Sequence, residues 1–518
     1  MKKKYTSTVA GASLLITAVG LVGKGLGLIR EVVFANYFGL NTQYDLYLVG
    51  AVLPITINTV ILYLAQNYLI PNYNKVKVND TDGSYKFVNS TFWSFTFFGA
   101  VLSLILFYFS GFIIKYYLQT ASAEYLNSTL YVFRIFLLTI PLNSAFSVLA
   151  AFLQAEFEFK TPAVSQLLLN ISIIFLVVIF SNSFGVYAIP AGYLLGSLIQ
   201  LIFLLVKSKR KIRFNFFNFI KDGNVRSIIN YSLVITILIE SISQIYLLAD
   251  RYFFDSVQKG GIASLNYAMN IFLLPVTIIS VALSTAIFPK LSHSFSSNMK
   301  EDVQKKLDNF YSINLFLFIP ISFVLILYGD VIIRILFQRG EFDSNAVLMT
   351  FGVLKYYALS LVFYSSYTVI NKLMYGANLG RELLLITVAG CLLKVFANFI
   401  LVKDYEQNGL AISTSISYMF FFLVGAAVTV YKLKMEIIHF IKEFFFNIFN
   451  GILSSLISIL VIPGGLFSSA LADGFLRLVI FLLVYAINSK LVDQSAVKLF
   501  EEALGSLYPK RLKLTKRN

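Results

Sequence analysis

One device recurs from end to end of the chain: an apolar run near the roughly 20 residues that an α-helix needs to cross a bilayer. "FWSFTFFGAVLSLILFYFSGFII" (92–114), "LLLNISIIFLVVIF" (167–180) and "LFLFIPISFVLILYG" (315–329) are three instances. Backbone in hydrocarbon must satisfy its hydrogen bonds internally, which restricts such a chain to packed membrane helices. A membrane β-barrel would show short strands of alternating polarity instead. Charged residues make up 13% of the 518, against about a quarter in soluble domains. Spans are expected near 9–36, 44–71, 87–114, 125–152, 161–181, 184–206, 228–254, 262–289, 308–328, 346–371, 382–402, 407–431, 444–463 and 471–489. The expected fold class is an all-α polytopic membrane protein of about fourteen transmembrane helices.

A net charge of +16 raises the question of nucleic acid, and its distribution answers it. With the N-terminus inside, most Lys and Arg fall in inside loops and tails. The outside loops hold Lys115, Lys259, Arg334, Arg339 and Lys403. That is the positive-inside pattern. It places both termini in the cytoplasm, and "KSKRKIRF" (207–214) and "PKRLKLTKRN" (509–518) against anionic headgroups. Nucleic acid is thereby excluded as a partner. "MKKK" before "VAGASLLITAVG" has no small-x-small cleavage pattern, so an uncleaved first helix is expected. The single Cys391 excludes a disulfide framework, and His293 and His439 read as ordinary interfacial residues. No Walker loop, Asp-rich metal motif or large cytoplasmic domain is present. That leaves a passive or ion-coupled transporter, with no catalytic residues, metal or cofactor expected.

The polar connection 207–226 separates two halves related by an offset of 221 residues: Arg30 maps to Arg251, Gly39 to Gly260, Leu53 to Leu274 and Pro54 to Pro275. Six spans per half keep the halves in the same orientation, as in two-bundle transporters with substrate between the bundles. The expected division is a six-helix bundle over 1–221, a second over 222–443, and two further helices with a basic tail over 444–518.

Charges inside the spans carry the functional reading. They include Lys24, Arg30, Glu31, Arg134, Asp250, Arg251 and Lys394. Each costs roughly 2.5–3.5 kcal/mol at a helix centre on insertion scales, and such groups face protein or water. Two readings stand: long side chains snorkelling to headgroups, or a cationic cavity meeting an anionic substrate.

"GKGLGLIREVVFANYFGLNTQYDLYLVGAVLP" (23–54), "ADRYFFDSVQKGGIASLNYAMNIFLLPVTIISVALSTAIFPKLS" (249–292) and "RILFQRGEFD" (334–343) resemble the MurJ/MviN lipid II flippases. These belong to the multidrug/oligosaccharidyl-lipid/polysaccharide exporter superfamily. The resemblance runs over nearly the whole chain. It implies fourteen helices, two bundles and a cavity passing the headgroup of an undecaprenyl-diphosphate-linked sugar to the outer leaflet of the bacterial cytoplasmic membrane. It also implies membrane lipids and cell-wall or polysaccharide synthesis proteins as partners, a monomeric state and no cofactor. The alternatives are another lipid-linked oligosaccharide as cargo, and a cation-coupled drug antiporter. Carried over by resemblance, the substrate site comprises Lys24, Arg30, Glu31, Asp45, Arg251 and Asn270, with Asp45 holding a cation when the site is empty. Lys24 replaces an Arg and Glu31 an Asp. Asn270 stands where the family has Arg, and a family Arg pair falls near Asn58 and Thr59.

In sodium-linked relatives a cation site occupies the positions of Asp250, Lys394, Asn398, Leu410 and Thr414. Lys394 and Asn398 share a helix face at i and i+4. A buried ammonium is costly unless paired, and Asp250 is the available counter-ion. The resemblance therefore implies that Lys394 replaces the cation, with protons or membrane potential in place of sodium; the alternative is that Lys394 snorkels.

Overall fold

The computed structural model describes residues 9–118, 122–208, 244, 249–280, 300–377, 379–463, 470–492 and 494–499. Among them regular structure is entirely helical. Every expected span except the seventh coincides with described helix, the eighth as far as residue 280; most of the seventh and residues 281–289 of the eighth lie outside the described residues, as does His293. Nine described helices are long and apolar enough to cross a membrane, or ten if the pair Ser344–Leu359 and Leu361–Met374, bent by 46°, is one span. The count stays below fourteen because Lys160–Ser208 and Gly380–Leu433 each hold two expected spans, the first expected span is not among the nine, and most of the seventh lies outside the described residues. Leu104, Phe112 and Leu460 stand exposed among many large apolar side chains. Water would not tolerate so much exposed apolar surface, whereas lipid does. This is an all-α polytopic membrane fold.

The chain divides into two compact units, Met1–Ser264 with Phe337–Ala346, and Leu265–Leu336 with Val347–Asn518. The first contains α1 (Val9–Phe38), α2 (Thr42–Asn79), α3 (Thr81–Tyr108), α4 (Ser110–Tyr117), α5 (Ala123–Leu137), α6 (Thr139–Ala155), α7 (Lys160–Phe184) and α8 (Ala188–Ser208). Gly39, at φ +52°, supplies the left-handed residue that ends α1. Asn41 then caps α2 by accepting the Tyr44 N–H at 2.9 Å. α7 and α8 meet through Gly192 and Gly196, a small-xxx-small pair. A Cβ on Gly192 would lie 2.8 Å from Ile173 Cα, and one on Gly196 would lie 2.7 Å from Leu169 Cδ1. Close backbone approach replaces the hydrophobic drive that lipid removes.

In the second unit, α9 (Gly261–Pro275), whose first turn belongs to the first unit, runs into a π-helical turn at Val276–Ser280. α10 (Lys300–Phe337) kinks at Tyr328, where φ and ψ are −126° and 16°. α11 (Ser344–Leu359) and α12 (Leu361–Gly376) follow, then α13 (Gly380–Leu433), α14 (Ile438–Val461) and α15 (Ala470–Leu491). α13 breaks at Glu406, with φ 48° and ψ −128°, so the expected spans 382–402 and 407–431 emerge as two arms of one hairpin.

Candidate functional site

Arg30 and Glu31 form one polar cluster of the first unit. Arg30 Nη2 and Nε donate to Glu31 Oε1 at 2.7 and 3.3 Å. Its Nη1 donates to Asn170 Oδ1 on α7 at 3.1 Å. The guanidinium also lies 5.7 Å from the ring centres of Phe34 and Tyr193. Glu31 accepts the Tyr44 hydroxyl at 3.3 Å. The side chains of Arg30 and Glu31 are 21% and 8% exposed, so this pair is held by protein. All three nitrogens of the guanidinium fork are engaged. Lys24, two turns earlier, is half-buried.

Asp45 takes a different role from the one its neighbours in sequence imply. Its carboxylate accepts the backbone N–H groups of Gly260 and Ala263 at 2.7 and 2.8 Å. It is 3% exposed. These N–H groups belong to the first turn of α9, where donors lack intrahelical partners and the dipole favours an anion. Asp45 is thus a cap in the packed interior, and the expectation that it holds a Lys24 or Arg30 cation is corrected by these bonds.

Between α2, α6, α7 and α8 lies a cavity of about 150 Å³ with Asn58 and Thr59 in its lining. Asn143, Ser147, Gln166, Tyr193 and Gln200 also line it, and none of these follows from the charge pattern. Asn143 and Ser147 are four residues apart, and Tyr193, Ser197 and Gln200 recur on one face of α8. That polar stripe on apolar helices is the signal by which a sequence reveals such a lining. Within the cavity wall, Asn58 Nδ2 donates to Thr139 Oγ1 at 2.9 Å. Asn143 Nδ2 lies 3.0 Å from Thr139 O and 3.3 Å from Ser197 Oγ.

In the second unit α13 brings four expected residues together. Lys394 is 1% exposed, and Asn398, Leu410 and Thr414 are fully buried. Asn398 Oδ1 accepts the Ser413 hydroxyl across the Glu406 break. Thr414 Oγ1 donates to Leu410 O at 2.9 Å. Two of the positions of the cation site implied by the resemblance, Leu410 and Thr414, therefore bond each other. Asn270 is half-buried on α9, and Asp250 is half-buried in the tight helix Ala249–Ser256. The side chain of Arg251 lies outside the described residues.

A multi-pass helical fold with charges and amides buried away from lipid defines a membrane transporter. The family model for the lipid II flippase MurJ matches residues 34–485, and the chain belongs to that family. A protein of Buchnera aphidicola subsp. Acyrthosiphon pisum named probable lipid II flippase MurJ is 27% identical over 460 residues, covering 86% of this chain and 88% of its own. The lipid II flippase MurJ of Thermosipho africanus is 25% identical over 493 residues, covering 94% and 98%. A solved structure of lipid II flippase MurJ in an inward closed conformation shares the fold, with a TM-score of 0.79, 24% identity and coverage of 93% and 100%. An inward-facing multidrug resistance MATE family transporter of the MOP superfamily shares it more distantly, with a TM-score of 0.65, 14% identity and coverage of 79% and 94%.

Proposed function

We propose that the chain moves lipid II, an undecaprenyl-diphosphate-linked sugar, from the inner to the outer leaflet of the bacterial cytoplasmic membrane, with both termini inside. Membership of the MurJ family over residues 34–485 carries this reading. The buried Arg30, held by Glu31 and Asn170, supports it as the group that meets the diphosphate. Lys24 assists as a point charge, where Arg30 acts as a planar donor. The bundles 1–221 and 222–443 and the helices beyond 444 are the working divisions.

Reconstituted protein should translocate labelled lipid II in vesicles. Arg30→Ala should lower the rate at least tenfold, because Glu31 is then left as a buried carboxylate without its cation. Full activity of both Arg30→Ala and Lys24→Ala would remove these residues from the cargo site. The neutral Asn58 and Thr59 favour a second reading, a different lipid-linked oligosaccharide. Transport of such a repeat unit in preference to lipid II would establish that one.

We further propose that Lys394 takes the place of a coupling cation, so that protons or membrane potential drive transport. Its burial beside Asn398 supports this, as does the mutual bond of Leu410 and Thr414. Replacing sodium by choline at fixed pH should leave transport unchanged in the unmodified protein, and Lys394→Asn should introduce a sodium requirement. Sodium stimulation of the unmodified protein would overturn the idea.

A further inference from the structure

Arg134 is a charge inside a span that the transport of a cargo leaves unused. It sits on α5, half-buried. Asn127, Tyr131 and Leu138 on the same helix are exposed, and with Arg134 they recur at the spacing of one helix face. On the adjoining α3, Leu104 and Phe107 are exposed as well. Large apolar side chains grouped on an outer face mark a surface that meets membrane. Arg134 therefore stands at a lipid-facing surface, unlike Arg30, whose three nitrogens are all held by protein.

Its guanidinium is positioned, yet its charge is not matched. Nε donates to Ser110 Oγ at 3.1 Å. That hydroxyl in turn donates to Phe107 O at 2.7 Å, so it is fixed at the break between α3 and α4. The guanidinium carbon lies 4.8 Å from the ring centre of Phe107. Among the described residues no carboxylate pairs with Arg134, and Nη1 and Nη2 have no acceptor. A side chain that only snorkelled would leave Nε free too; here one edge and one ring contact set the fork, and two coplanar donors remain. Arg134 stands five residues before Thr139, the midpoint of the span Ala123–Ala155. That is about 7.5 Å from the middle, on the side of the α4–α5 connection. Helical side chains tilt toward the N-terminus of their helix, which for α5 is the direction of the nearer headgroups.

An unpaired cation at a lipid-facing surface is costly, and two parallel N–H donors fit two oxygens of one phosphate. A metal cation is repelled by the guanidinium. A free phosphate ion would have to leave water for an apolar face, whereas a phospholipid brings its phosphate together with chains that cover Leu104, Phe107 and Leu138. We propose that this face of α3, α4 and α5 binds one phospholipid of the bulk membrane, its phosphodiester held by Nη1 and Nη2 of Arg134 and its acyl chains lying on the exposed apolar residues. With both termini inside, the lipid belongs to the outer leaflet. The site requires the membrane fold alone and does not depend on what the protein transports. Ser110 is a positioning residue: it fixes Nε and so aims the other two nitrogens.

Native mass spectrometry of the full chain, delipidated in detergent, provides the test. The probes are dioleoyl phosphatidylglycerol, dioleoylglycerol with the same chains and no phosphate, and inorganic phosphate. A one-to-one adduct should form with phosphatidylglycerol and with neither of the others. Arg134→Gln should weaken that adduct about tenfold, the worth of a lost charged hydrogen bond. Arg134→Lys keeps the charge without the fork and should fall between the two; it serves if Arg134→Gln does not fold. Ser110→Ala, with Arg134 intact, should weaken the adduct in the same direction. Equal adducts with phosphatidylglycerol and dioleoylglycerol, or with the unmodified protein and every variant, would show chain contact alone and overturn the proposal. Retention of inorganic phosphate as strongly as the lipid would make this a general anion site and overturn it too. Displacement of phosphatidylglycerol by an equimolar amount of lipid II would assign Arg134 to the cargo and refute a bulk-lipid site.

Discussion

Two buried polar regions of this protein handle the same problem in opposite ways. The network joining α10, α14 and α15 in the second unit matches nearly every group it buries. Asn450 Nδ2 donates to Tyr485 O at 3.1 Å and to Ser489 Oγ at 2.9 Å, while Asn450 Oδ1 accepts Asn488 Nδ2 at 3.1 Å. Asn447 Oδ1 accepts the Tyr485 hydroxyl and the Gln494 amide, and Gln494 also reaches Glu443 Oε2 at 2.9 Å. Of these five side chains, Asn447, Asn450, Tyr485, Gln494 and Glu443, one atom, Gln494 Oε1, is left over. The cavity of the first unit leaves three bare atoms among nine polar lining side chains, at Asn58, Ser147 and Gln200. Where a fully matched network stands, the polar groups serve the fold, since each one lost strands its partners.

The largest expected effect follows from the matched side. Asn450→Leu keeps the volume but removes the partner of Ser489, Asn488 and Ser454 in a setting without water. Each bare group costs roughly 1–3 kcal/mol, so the last two helices should loosen and the thermal midpoint in detergent should fall sharply. Limited proteolysis near residue 464 would register the same loosening. An unchanged midpoint would mean that the network is not what holds α14 to α15.

A smaller loss is expected at the edge of this network. Ser312 Oγ lies 2.7 Å from His439 Nε2, and His439 Nε2 lies 3.8 Å from Glu443 Oε1. The His439 side chain is 31% exposed, and Ser312 keeps a second contact to Glu443 Oε1 at 3.5 Å. His439→Ala should therefore lower stability by about 1 kcal/mol, the net value of one hydrogen bond, in the same thermal assay. A loss as large as that of Asn450→Leu would make His439 a central member of the network.

These residues also show what a sequence can reveal of such a protein. Bilayer thickness acts on every span alike, so span positions were readable, including the pair whose hinge proves to be Glu406. Arg30 and Glu31 stood out because charges are rare in lipid, but their mutual bond did not follow, since neighbours at i and i+1 on a helix do not face each other. Asp45 was misread because its partners are backbone groups at Gly260 and Ala263, donors that every residue but proline carries and that no pattern marks. His439 was read as an ordinary interfacial residue, although Glu443 follows four residues later on the same helix face. The cavity amides sit on four helices, and which faces meet is decided by packing through positions such as Gly192 and Gly196, not by any local period.

The smallest effect on stability is expected at the unmatched cavity. Gln200→Met exchanges an unmatched N–H for a thioether of similar length in a wall that already contains Leu169 and Phe146. No hydrogen-bond partner of that N–H is stranded, and the cost of keeping it dry disappears, although the Oε1 acceptor is removed with it. The variant should therefore be unchanged or up to about 1 kcal/mol more stable. Thermal midpoints of Gln200→Met and Asn450→Leu, taken side by side, put the comparison at risk directly. If Gln200→Met falls as far as Asn450→Leu, the cavity amides are structural members like those of the second unit, and the distinction between withheld and completed bonds fails. If it holds or rises, the unmatched amide of Gln200 adds nothing to the stability of the fold.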